Sequence, residues 1–154
     1  MRIKVGVLPA LVTLGNLMCG FAAIGVAAQA QLYWRAGTPD PTAGFKSFAL
    51  AGSLVLLAML FDALDGKIAR MANQSTEFGG QLDSLCDMVS FGVAPAYIVF
   101  LEATSRTLFR DYRYAWVCAV LYAICAALRL ARFNVEKDSD EERHKYFHGL
   151  PTPA

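Results

Sequence analysis

Hydrophobic residues gather into four blocks along the chain, and polar residues fall into the short joints between them. The first block, residues 8–30, reads LPALVTLGNLMCGFAAIGVAAQA, and the second, residues 46–64, reads KSFALAGSLVLLAMLFDAL. The third runs from near Gly80 to near Ala103, polar in its first half and apolar through VSFGVAPAYIVFL. The fourth, residues 114–133, is YAWVCAVLYAICAALRLARF. A helix needs about 20 apolar residues to cross a bilayer, so each block predicts a transmembrane helix. The joints YWRAGTPDPTAG, ANQSTEFGG and EATSRTLFRDYR are rich in turn formers or charge. Inside the third block Pro95 predicts a kink or a freed carbonyl, because it has no N–H to donate. In the fourth, Ala119, Ala123, Ala127 and Ala131 recur every four residues. Such a stripe of small residues admits a close neighbour, either another helix of this chain or a second copy in a homodimer.

Composition supports the membrane reading. Of 154 residues, 56% are hydrophobic and 18% charged, against about 25% charged in a soluble domain. Mean hydropathy is +0.39. The formal net charge of +1 suggests no nucleic-acid partner. Cys19, Cys86, Cys118 and Cys125 have no CxxC spacing and lie in apolar segments, so they read as small packing residues without a function. The basic start MRIKVG and the apolar run after it resemble a signal peptide. That run exceeds the roughly 7–15 residues of a signal peptide's apolar region, and an uncleaved span is the expectation.

Basic residues set the expected orientation. With a cytoplasmic N-terminus, Arg2, Lys4, Lys67, Arg70, Arg129, Arg132, Lys137, Arg143 and Lys145 lie inside, and Arg35, Lys46, Arg106, Arg110 and Arg113 outside. The excess inside fits the positive-inside rule for a multi-pass cell-membrane protein. The run EKDSDEERHK after the fourth block reads as a solvated loop or helix end, and HGLPTPA as the entry to another apolar segment.

The polar stretch FDALDGKIARMANQSTEFGGQLDSLCDM, residues 61–88, holds the candidate chemistry. Asp62 and Asp65 are three apart, and Asp83 and Asp87 four apart, so each pair shares one helix face. Gly66 and Ala69 clear space beside the first pair, and Gly79 lies one turn before the second. A carboxylate at mid-bilayer costs about 2.5–3.5 kcal/mol, so four unpaired ones would cost roughly 10–14 kcal/mol. Only Lys67 and Arg70 are close in sequence to offset this. Hard carboxylate oxygens suit Mg2+ or Mn2+. Metal-bridging carboxylates clamp phosphoryl oxygens, and one with a free oxygen can take a proton from an alcohol. A cation channel or transporter lined by the same acids is the other class. It gives no reason for Gly66, Ala69, Arg70 and Gly79.

The spacing Asp62-x2-Asp65-Gly66-x2-Ala69-Arg70-x8-Gly79-x3-Asp83-x3-Asp87 resembles, without gap or mismatch, the signature of the CDP-alcohol phosphotransferase family. LPALVTLGNLMCGFAAI, DSLCDMVSFGVAPA, ALRLARFNV and FHGLPTPA look like the phosphatidylserine synthase branch of that family. The resemblance implies an all-α integral membrane helix bundle that transfers a phosphatidyl group from CDP-diacylglycerol to L-serine and releases CMP. Glycerol phosphate or inositol phosphate remains open as the acceptor. It further implies Asp62, Asp65 and Asp83 as metal ligands, with Asp87 as general base that also touches a metal. Gly66, Ala69 and Gly79 would admit the cytidine and pyrophosphate, and Arg70 would order the site or pair with an aspartate. Thr13 and Asn16 would bond the nucleotide or a neighbouring helix. Arg129 and Arg132, with Asn134, would meet a phosphate or the serine carboxylate, or the arginines would reach to lipid headgroups. The family has about six spans and four are visible, which implies one domain over residues 1–154, cut short at its C-terminus.

Overall fold

The structure, a computed structural model, describes residues 7–35, 42–71, 77–105 and 112–146, with side chains at 10–34, 42–64, 66–67, 78–105 and 112–135. In order come α1 (Val7–Arg35), α2 (Ala43–Met71), α3 (Glu77–Asp87), a π-helical segment (Met88–Val93), α4 (Ala94–Ser105) and α5 (Tyr112–Tyr146). No strand occurs among the described residues. Four stretches are long and apolar enough to cross a membrane: Ala10–Trp34, Ala43–Leu64, Phe78–Ser105 and Tyr112–Val135. The protein is therefore an all-α, multi-pass membrane protein, as the hydropathy pattern predicts. Hydrocarbon offers the backbone no hydrogen-bond partner, so each crossing segment must satisfy its own N–H and C=O groups as a helix.

Helices run past their apolar blocks. The second block ends at Leu64, yet α2 continues to Met71, so the backbone of Asp65 is helical along with that of Asp62. The charged run after Phe133 is helical too, since α5 reaches Tyr146. The HGLPTPA tail lies outside the described residues, as do the side chains of Asp65, Ala69 and Arg70.

Small residues bring the first two helices together. Ala23, Ala27 and Ala30 on α1 and Ala51 and Ala58 on α2 are fully buried. Alanine lets helix backbones approach closely, which in lipid is a main source of helix association. Phe48 and Leu101 complete this cluster, and the Trp34 ring lies against Phe48 at 5.2 Å between centroids. Gly44 is needed there: a Cβ would sit 2.9 Å from Trp34 Cδ1. Leu11, Met18, Phe21 and Leu32 point outward from α1, where a bilayer supplies their solvent.

A π-helical segment, not regular α-helix, precedes Pro95. The π-helical segment ends two residues before it, and the Ala94 N–H bonds back to Val89 O, five residues earlier. The main-chain oxygen of Phe91, which an N–H at position 95 would ordinarily reach, accepts the Tyr122 hydroxyl at 3.2 Å. α5 otherwise leans on this span by one edge. Ala115 is buried, Ala119 and Ala123 are half-buried, and Ala127 and Ala131 are exposed. An apolar groove of 420 Å³ remains between α4 and α5, lined in part by Pro95, Val99, Ala119 and Tyr122. All four cysteines are free; Cys86 is buried and Cys19 half-buried, but Cys118 and Cys125 are exposed on α5. Packing within this chain thus accounts for the first two alone.

Candidate active site

The end of α2 and the start of the third span bring acids together across the α2–α3 joint. Asp62, Asp83 and Asp87, each half-buried, offer one carboxylate oxygen apiece, all within 4.8 Å of one another. Asp83 and Asp87 stand one turn apart on α3, so one helix face carries both toward Asp62. Two unit charges 4.8 Å apart repel by about 3.5 kcal/mol at an effective dielectric of 20. Oδ1 of Asp83 is shut off from solvent, which leaves it little water screening. Three hard oxygens converging in this way fit a divalent cation by donor chemistry. Beside them, a Cβ at Gly66 would meet no atom within 4 Å. Gly79 is half-buried one turn before Asp83.

α1 enters the site through Asn16. This side chain is fully buried, and Thr13, one turn earlier, is 5% exposed. Asn16 Nδ2 donates to Asp87 Oδ1 at 2.9 Å, a contact between residues 71 apart in sequence. A hydrogen bond to an ionised group contributes about 1.5–3 kcal/mol. Between a nucleotide and a neighbouring helix, the bond observed is to the neighbouring helix. Ser90 Oγ donates in turn to the Asn16 main-chain oxygen at 3.1 Å, and Gly20 packs on the Ser90 backbone, where a Cβ would lie 2.7 Å from Ser90 Cα.

α5 reaches the same end of the bundle. Asn134 Nδ2 donates to Ser84 Oγ at 3.0 Å, and Ser84 Oγ lies within donating distance of Gly80 O at 3.0 Å and Asn134 Oδ1 at 3.2 Å. One hydroxyl proton serves one acceptor at a time. Donation to Gly80 O together with acceptance from Asn134 satisfies Ser84 fully. Asn134 therefore ties α5 to the residue next to Asp83. Arg129 and Arg132 stand exposed on α5 within two turns of it.

Sequence reasoning did not find Ser84, Ser90 or Gly20. Their signal is contact between helices, which no local pattern carries. The nearest hint was a polar Asn16 inside an apolar block.

The CDP-alcohol phosphatidyltransferase family model matches residues 6–154. A CDP-diacylglycerol–serine O-phosphatidyltransferase of Mycobacterium tuberculosis is 32% identical over 155 residues, covering 99% of this chain and 47% of that protein. Enzymes of the same name from Saccharomyces cerevisiae and Methanocaldococcus jannaschii are 45% and 42% identical, over 65% and 66% of this chain and 36% and 44% of their own length. The chain thus spans less than half the length of these relatives. No solved structure matches it. The relatives' names speak for phosphatidyl transfer and do not favour the ion-path reading.

Proposed function

Since the chain belongs to the CDP-alcohol phosphatidyltransferase family, we propose that it transfers the phosphatidyl group of CDP-diacylglycerol to the hydroxyl of L-serine, giving phosphatidylserine and CMP. The observation that carries this reading is the convergence of Asp62, Asp83 and Asp87 across the α2–α3 joint. Asp62, Asp65 and Asp83 hold the metal, with Asp87 able to add an oxygen. A divalent cation held there, Mg2+ or Mn2+, would supply neutralisation of phosphoryl oxygens and of charge on the departing CMP.

The remaining work falls to the chain's own groups. Asp87 takes the proton of the acceptor hydroxyl as its oxygen bonds to the phosphorus of the phosphatidyl group, and the bond to the CMP oxygen breaks. Gly66, Ala69 and Gly79 keep the backbone open to nucleotide and pyrophosphate, Thr13 offers its hydroxyl to the nucleotide, and Arg70 balances charge. Arg129 and Arg132, beside Asn134, receive the serine carboxylate, which suits a guanidinium fork. The site faces the cytoplasm, where serine and CDP-diacylglycerol headgroups meet.

CMP release from CDP-diacylglycerol in detergent tests the reading. Release requires L-serine and Mg2+ or Mn2+, stops on chelation, and falls by about 100-fold or more in Asp87→Asn, the usual scale of a general base. Release that follows glycerol phosphate or inositol phosphate but ignores serine reassigns the acceptor. Release unchanged in Asp87→Asn removes that residue as the base.

A further inference from the structure

We propose that Asn16 is a positioning residue that fixes the carboxylate of Asp87 from α1, so that the third span alone does not set the geometry of the proposed base. The inference rests on the phosphatidyl-transfer reading for Asp87's role, but its geometry stands independently. Asn16 is fully buried, and its Nδ2 is spent on Asp87 Oδ1 at 2.9 Å. A carboxylate held at one oxygen loses rotation about its terminal torsion, a torsion that is otherwise broad. Its second oxygen is thereby assigned a direction, which a group that must meet both a metal and an acceptor hydroxyl requires. Supporting partners of this kind set metal affinity and activity almost as strongly as the ligands themselves.

The rest of the contact has the form of a clamp. Ser90 Oγ, buried, holds the main-chain oxygen of Asn16 at 3.1 Å. Gly20, one turn further along α1, permits the close approach, since any Cβ would meet the Ser90 backbone. Ser90 belongs to the π-helical segment that starts directly after Asp87. Asn16 therefore grips Asp87 while its own backbone is gripped by the next turn of the same span. The amide oxygen of Asn16 is buried without a hydrogen bond, a cost tolerated if the amide is kept for its donor.

Wild type, Asn16→Leu, Ser90→Ala and the double variant Asn16→Leu/Asp87→Ala, with Asp87→Ala alone, decide the matter in detergent. Leucine keeps the branched outline of Asn16, with two bulkier methyl groups, and removes its donor. The expected result is Mn2+ binding, read by electron paramagnetic resonance, weakened about 10-fold or more in Asn16→Leu. kcat for CMP release falls on a similar scale, while KM for CDP-diacylglycerol moves less than about 3-fold. Ser90→Ala, which releases the Asn16 backbone but leaves its amide in place, weakens Mn2+ binding and lowers kcat by less than Asn16→Leu does. In metal-free protein the melting shifts of Asn16→Leu and Asp87→Ala are non-additive, as for residues in contact. Additive shifts overturn the proposal. Wild-type Mn2+ affinity and kcat in Asn16→Leu overturn it as well, and so does an equal loss in Ser90→Ala, which would assign the effect to helix packing. A wild-type chain that releases no CMP with any acceptor counts against phosphatidyl transfer. The Mn2+ titration and the melting cycle then still decide whether Asn16 fixes Asp87.

Discussion

Two glycines on α1 show how a single methyl group separates packing from free surface. Gly20 faces the Ser90 backbone, where a Cβ would lie 2.7 Å from Cα, while a Cβ on Gly25 would meet nothing within 4 Å. A backbone atom cannot swing aside as a side chain can, so Gly20→Ala must push α1 away from the π-helical segment. Overpacking of this kind costs about 1–3 kcal/mol. It should also lengthen the Asn16–Asp87 contact one turn away. The expected result is a lower melting temperature in detergent together with weaker Mn2+ binding. Gly25→Ala should be neutral or raise stability by up to about 1 kcal/mol, the helix propensity of alanine over glycine. Equal melting temperatures for the two variants would mean that α1 does not rest on Ser90. Both glycines lie in the same run of small apolar residues, so only the packed structure distinguishes them.

At the level of elements, the third span is the most informative. Pro95 marked it in the sequence as the place where a helix must yield, and the yielding takes the form of six π-helical residues, Met88–Val93. The Tyr122 hydroxyl from α5 meets the Phe91 carbonyl. A side-chain bond of this sort within a membrane is worth about 0.6 kcal/mol on average. Tyr122→Phe should therefore lower the melting temperature slightly and leave the proposed phosphatidyl transfer intact. In Pro95→Ala a restored N–H can reach the Phe91 oxygen, so adding Tyr122→Phe should then change little. A full additional loss in the double variant would show that the hydroxyl does not serve the carbonyl freed by proline. The four spans were legible because hydropathy acts over 20 residues at a time, whatever the partner. The pairing of Asp83 with Asp87 was legible because helical spacing alone fixes it. Asn16 on Asp87 and Asn134 on Ser84 were not, because each joins two helices whose relative rotation is set by packing across the bundle and not by local spacing. The extension of α5 through EKDSDEERHK was half-legible: its polarity pointed to solvent, and polarity alone does not separate a loop from a helix leaving the bilayer.

Across the whole molecule, four elements carry polar groups to one end: the first third of α1, the end of α2, the start of α3 and the end of α5. Asp62, Asp83 and Asp87 converge at this end, with Asn16 of α1 bonded to Asp87. The proposed transfer to serine works only if that end faces the compartment holding serine. Lys67, exposed just beyond Asp62, and Lys46, exposed at the opposite end of α2, report on this. With Cys19, Cys86, Cys118 and Cys125 changed to alanine, Lys67→Cys should react with a membrane-impermeant maleimide in inside-out vesicles and stay protected in right-side-out ones. Lys46→Cys should do the reverse. The opposite pattern would turn the acids to the outside, beyond reach of cytoplasmic serine, even with the metal site intact. The excess of lysine and arginine on the acid side favours the first outcome, because these are the residues that hold a loop in the cytoplasm during insertion.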